Sequence, residues 1–165
     1  MIREFLYCAG LLVASAHAAT GPLPAVTVSE LPSPAARGAA GPSLARGPDG
    51  TLWLSWLESA PGATHALKFA TLVPNASAWS AARTIASGAG WLINWADFPA
   101  ITVGTGGQAT AVWSVNNPPK HDSAAAHGHG HGPGYRALLS RTTDGGATWS
   151  PPAPLTRESD SVEFV

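Results

Sequence analysis

Three landmarks in this chain recur at a single spacing. Pro42 and Pro99, Gly50 and Gly107, and Trp56 and Trp113 each stand 57 positions apart. In both copies an apolar run (Gly41-Pro42-Ser43-Leu44-Ala45, then Phe98-Pro99-Ala100-Ile101-Thr102-Val103) precedes a Gly turn, and a Trp-bearing run follows it. A third run extends over 65–73 in the first copy and 135–142 in the second, each followed by a Trp-Ser pair at Trp79-Ser80 and Trp149-Ser150. That last pair is spaced by 70 positions, so 13 residues are inserted between Trp113 and Tyr135. A fixed internal period means one structural unit used repeatedly. Alternating apolar and polar residues between turn signals make the runs strands. Each unit is expected to have four: 42–46, 51–58, 65–73 and 82–87, then 99–103, 108–114, 135–142 and 153–156. The predicted fold class is therefore all-β, built of four-stranded antiparallel units like the blades of a β-propeller. A β-sandwich also alternates strands with turns, but does not require the repeat.

The composition agrees. The 18 Gly, 15 Pro and seven Trp suit short strands with punctuated turns. Only 12% of residues are charged, against about 25% in an ordinary soluble domain. With a net charge of −1 and no basic stretch, no nucleic-acid partner is expected.

The second unit contains the chain's most specific local motif, Thr142-Thr143-Asp144-Gly145-Gly146-Ala147-Thr148-Trp149. An Asp side chain in a turn accepts bonds from backbone N–H groups. Gly145 and Gly146 permit positive φ. Thr148 offers a hydroxyl to tie the turn back, and Trp149 a large apolar cover. Read as [S/T]-x-D-x-G-x-T-W, the stretch resembles the Asp-box of sialidase-like BNR-repeat propellers, with Thr142, Asp144, Gly146, Thr148 and Trp149 at the fixed positions. The first unit has only a degraded version, Asn75-Ala76-Ser77-Ala78-Trp79, within which Asn75-Ala76-Ser77 also matches a weak glycosylation sequon. The resemblance covers about residues 41 to 165. It implies blade 1 at 41–97, blade 2 at 98–157 with a His-rich insertion at 115–134, and the start of a third blade at 158–165. The whole is expected to be part of a six-bladed ring. Propellers close with typically four to eight blades. The remaining blades are expected from a longer chain, of which this is the N-terminal portion, or from other copies.

In an antiparallel blade, successive connections fall at opposite ends. The turns at 49–50, 106–107 and 143–147 then share one end. The longer connections share the other, bringing together Trp91, Asn94, Trp95, Asp97, His121, Asp122, His127, His129, His131, Glu158 and Asp160. Functional groups sit preferentially on loops held by a rigid scaffold. Trp91 and Trp95 offer aromatic faces to a sugar ring and Asn94 hydrogen bonds to its hydroxyls; alternatively, both Trp pack between the units and Asp97 caps a turn. His121, His127, His129 and His131 carry imidazoles that bind Zn, Cu or Ni. A Gly-interrupted run does not provide the fixed geometry of a structural site, so no cofactor is required and any Zn or Cu there would be adventitious.

Sialidases of the family hold the substrate carboxylate with three Arg, the first in an Arg-Ile-Pro motif opening a blade, and add an Asp acid/base and a Tyr nucleophile assisted by Glu. Here the corresponding positions read Ala40-Gly41-Pro42 and Asp97-Phe98-Pro99, without Arg, although Arg37 and Arg46 lie nearby. Asp97 is the candidate acid/base. The resemblance implies an exo-glycosidase acting on sialylated or related glycans. The alternatives are a non-catalytic propeller that binds a glycan or protein, and a metal-handling surface protein acting through the His-rich loop.

The first 19 residues read as a secretory signal. Arg3 supplies the charge, residues 5–16 an apolar run too short to span a bilayer, and Ala16-His17-Ala18 the cleavage site. Residues 20–40 form a lead-in rich in Ala, Pro and Gly. Secretion or periplasmic export is expected, with no membrane span after cleavage. The only cysteine, Cys8, lies in the signal, so the mature chain must hold together by packing.

Overall fold

A computed structural model describes residues 25–94, 98–117 and 135–156. The expected signal segment, most of the His-rich insertion and the expected opening of a third blade lie outside the described residues. The chain divides into Met1–Glu30, whose described part is exposed irregular backbone, and Leu31–Val165, which contains every strand.

Eight strands follow in order: β1 (Ala40–Arg46), β2 (Leu52–Ala60), β3 (Thr64–Leu72), β4 (Arg83–Ala89), β5 (Ala100–Val103), β6 (Ala109–Asn116), β7 (Tyr135–Thr142) and β8 (Ala153–Pro154). They pair strictly with their sequence neighbours as two four-stranded antiparallel sheets, β1-β2-β3-β4 and β5-β6-β7-β8. The described residues contain no helix. The molecule is all-β, and the two sheets are not closed into a ring.

All eight expected strands are present, and the differences lie at their ends. The insertion was expected to begin at residue 115, but β6 continues through Val115 and Asn116. The chain after β4 supplies their partners there: Asn116 N–H donates to Gly90 O at 2.8 Å and Leu92 N–H to Ser114 O at 3.0 Å. At the other extreme, β8 is only two residues long. Pro151, Pro152 and Pro154 lack the N–H a ladder needs, and pairing resumes once, from Leu155 N–H to Ala137 O at 2.9 Å.

Alternation decides which face is buried. Along β6, Ala109, Ala111, Trp113 and Val115 are buried while the residues between them are half-covered. On β2, Trp53 and Leu57 share a face with Leu67 and Phe69 of β3. These sets meet in one core, joined by Ile85, Trp91 and Ile101, with Val103 and Trp149 packed at its margin. Fully burying a side chain of this kind contributes about 1.5–3 kcal/mol. With a single cysteine in the sequence no disulfide can form within the chain, and this shared core is what holds the two sheets together. β1 also packs beside β5, so the two units lie first strand to first strand.

Candidate functional site

At one end of the sheets stands the motif turn, and its polar groups are spent on one another. Thr142, buried at the end of β7, donates its hydroxyl to Asp144 Oδ1 at 2.7 Å. The same hydroxyl oxygen accepts the Gly146 N–H at 3.0 Å. Asp144 in turn accepts the Thr148 hydroxyl at 2.6 Å and the Thr148 N–H at 2.9 Å. The Thr148 hydroxyl and N–H, followed by the Thr142 hydroxyl, hold the Asp144 carboxyl well below the ordinary carboxylate range. A carboxylate so engaged is a structural tie. Gly145 (φ 69°) and Gly146 (φ 79°) take the left-handed backbone expected of them.

The turn also docks on the first sheet, which sequence reasoning did not anticipate. Trp149 meets Phe69 edge to face, with centroids 5.6 Å apart, and Phe69 stacks on Trp53 at 5.2 Å. Arg83 places its guanidinium 4.7 Å from the centre of the Phe69 ring and donates to Gly145 O at 3.0 Å. Gly145 N–H donates to Gly107 O at 2.9 Å, which confirms that the two turns share an end. The first unit keeps part of this device. Asn75, 70 positions before Gly145, also takes positive φ, at 66°. Ser80 N–H bonds Thr71 O at 2.8 Å and Ser80 Oγ accepts the Thr71 N–H at 2.9 Å. Ser150 does the same to Arg141 at 2.8 and 3.0 Å. The recurring Trp-Ser pair was the signal for this clamp.

The opposite end is where the longer connections lead. β6 pairs Ala109 with Thr142 at the motif end and Asn116 with Tyr135 at the far end. Here the chain after β4 turns in, and Trp91 bridges to Val115. Trp91 is 8% exposed and stacks on Trp113 with centroids 5.4 Å apart and ring planes at 24°. It is thus packed between the sheets, the alternative expected for it, and one of its faces is taken. Asn94 lies exposed further along the same loop and is itself engaged in an interaction. Trp95 and Asp97 fall outside the described residues, as do His121, His127, His129 and His131. Arg46 is near the Asp49-Gly50 turn, since a Cβ on Gly50 would lie 3.4 Å from its Nη2; that places it at the motif end.

Beside Trp91 the two sheets part to leave a groove of about 260 Å³, lined among others by Ser87, Trp91, Trp113, Asn116, Arg136 and Leu138. β4 supplies one wall, and β6 and β7 the other. Asn116 reaches back through Nδ2 to Trp91 O at 3.4 Å. Among the described residues the Trp113 ring N–H is buried without a hydrogen-bond partner, an arrangement that costs about 1–3 kcal/mol. The groove therefore combines aromatic residues with amide and guanidinium groups at its walls. Pockets of this make-up, apolar with a few polar groups, are the usual form of a small-ligand site. No family model and no curated protein matches the chain.

Proposed function

We propose that the two sheets are neighbouring blades of an exported, sialidase-like propeller, and that the protein recognises a glycan at the end of the sheets away from the Asp-box. The blade reading is supported by the internal repeat, by two four-stranded meanders of the same topology with β1 beside β5, and by an Asp-box turn in the second unit whose Ser clamp recurs in the first. The observation that carries the binding reading is the groove floored by Trp91 and Trp113. Sugar recognition needs an apolar ring face with hydrogen-bonding groups around it, and this groove supplies both. A glycosidase also needs a pair of carboxyl groups flanking the scissile bond. None of the described groove residues carries one, so binding is the chemistry this geometry favours over hydrolysis.

The test is a glycan-binding measurement on the exported protein, run beside a fluorogenic sialoside assay. We expect saturable binding that quenches Trp fluorescence, weakened at least fivefold in Trp91→Ala, with no turnover. Binding unaffected by Trp91→Ala would place recognition elsewhere and refute the groove. Turnover at ordinary enzyme concentrations would return the exo-glycosidase reading to first place.

A further inference from the structure

The first sheet has one face in the shared core and one turned away from it. Trp53, Leu57, Leu67 and Phe69 lie on the core side. On the outer side Trp56 and Glu58 stand across the ladder from Lys68 and Ala66. Trp56 is only 1% exposed although it lies outside that core. One carboxylate organises its surroundings. Glu58 Oε1 accepts the Trp56 ring N–H at 2.7 Å and the Ala36 N–H at 3.2 Å, while Oε2 pairs with Lys68 Nζ at 2.6 Å. Lys68, then the Trp56 N–H, hold the Glu58 carboxyl below the ordinary carboxylate range, and hydrogen bonds to an ionised carboxylate are the strong kind. The lead-in is thereby fastened on the outer face as a turn over residues 33–39. Ala39 N–H donates to Ala36 O at 3.1 Å, Gly38 takes φ 85°, and Pro34 and Ala35 are half-buried.

The repeat gives this face a counterpart. Trp56 corresponds to Trp113 and Glu58 to Val115, each 57 positions on. Lys68 corresponds to Leu138 and Ala66 to Arg136, each 70 positions on. The outer face of the first sheet is therefore built on the same positions as the inner face of the second, which packs against the core side of the first. Pro34 stands 57 positions before Trp91, which bridges to Val115, so the lead-in reaches its sheet where the chain after β4 reaches the second. By the same relation Thr102 and Thr110, on the outer face of the second sheet, correspond to Ala45 and Trp53 on the core side of the first. Two unlike faces that fit within one chain can also fit between two chains, head to tail.

We propose that the lead-in turn is a strap that blocks the outer face of the first sheet against the second sheet of another copy of this chain, with Glu58 as its fastening. Terminal units of stacked repeats need a polar cap, and the strap with its ion pair supplies one. The proposal goes beyond the glycan-binding reading and does not rest on it. The experiment compares the exported wild-type chain with Glu58→Ala and with a variant lacking residues 31–37, which leaves every strand in place. Trypsin cleavage at Arg37 reports the strap, and sedimentation velocity over a concentration series reports self-association. Glu58→Ala should be cut at Arg37 at least fivefold faster than wild type. The deletion variant should self-associate at least tenfold more tightly than wild type. Adding Thr102→Lys, at an exposed position on the mating face, should return it to the wild-type level. Unchanged cleavage in folded Glu58→Ala overturns the fastening. A deletion variant that associates no more tightly, or that does so regardless of Thr102→Lys, overturns the block. If Glu58→Ala does not fold, the deletion variant with and without Thr102→Lys decides alone.

Discussion

Replacing Gly146 by Ala tests the account of the Thr142–Trp149 turn at its tightest point. A Cβ at that position would lie 2.5 Å from Phe69 Cζ and 2.9 Å from Cε2, and Gly146 already sits at φ 79°. Left-handed backbone costs a residue with a side chain about 1–2 kcal/mol. Overpacking a filled core costs typically 1–3 kcal/mol. The ring cannot easily retreat, because Phe69 is stacked on Trp53, met by Trp149 and capped by Arg83. The two costs therefore act together, and Gly146→Ala should lose about 2–5 kcal/mol. At roughly 2–4 °C per kcal/mol for a chain of this size, the midpoint should fall by about 5–20 °C. Gly145→Asn is the matched control. Gly145 has nothing within 4 Å of its Cβ position, and Asn75 holds the same left-handed conformation in the first repeat. It should lose under about 1 kcal/mol, since Asn tolerates this region of backbone space. Urea unfolding at constant m-value gives both numbers. A Gly146→Ala variant within about 0.5 kcal/mol of wild type, or one no worse than Gly145→Asn, would refute the claim that this turn is wedged against the first sheet.

Two further outcomes follow from the same geometry. Asp144 has its folded-state carboxyl held far below the ordinary range by Thr148 and Thr142. A carboxyl depressed in the folded state stabilises above its unfolded value, near 3.9, and that stabilisation is lost as pH falls. Asp144→Asn should therefore flatten the decline in stability below about pH 4, read from thermal midpoints across the acid range; an unchanged acid limb would contradict the bonding described. Ser80→Ala and Ser150→Ala remove the same clamp from the two repeats. They should cost similar amounts, about 0.5–1.5 kcal/mol each, in chemical unfolding, and a several-fold disparity would show that the repeats are not equivalent at this point.

Most of the fold was legible because the information lay in period-two alternation and in turn residues, which act locally. The runs around Trp53 and Trp113 announced β2 and β6, and Asp49-Gly50 and Gly106-Gly107 announced the turns before them. Strand ends were less legible because they depend on partners remote in sequence: β6 extends through Asn116 on account of Gly90, 26 positions earlier. The motif was readable as a turn, since the side chains of Thr142, Asp144 and Thr148 bond within the motif itself. Its docking was not. Nothing in the motif says that Gly146 must be bare to admit Phe69, 77 positions upstream. The groove was the least legible feature, because it exists only where β4, β6 and β7 leave a space between them. Trp91 was singled out from its loop, whereas Trp113 was taken only as a landmark of the repeat.

That repeat also lets the two units be compared directly. Two copies of one unit in the same chain act as each other's control, since they share backbone and differ in side chains. Where the second copy has the Thr142–Trp149 turn, the first keeps the left-handed residue, Asn75, and the Ser clamp. Where the first keeps a satisfied Trp–carboxylate–cation cluster, the second keeps the Trp and the cation and gives up the carboxylate. The two losses fall at opposite ends of the sheets. A turn that loses its Asp forfeits bonds made within a few exposed residues, and water can replace them. A buried indole that loses its acceptor cannot be compensated by water and carries a cost until some group supplies the bond. Among the described residues the ring N–H groups of Trp113 and of Trp149 are both in that position, so each end of the sheets carries one such cost.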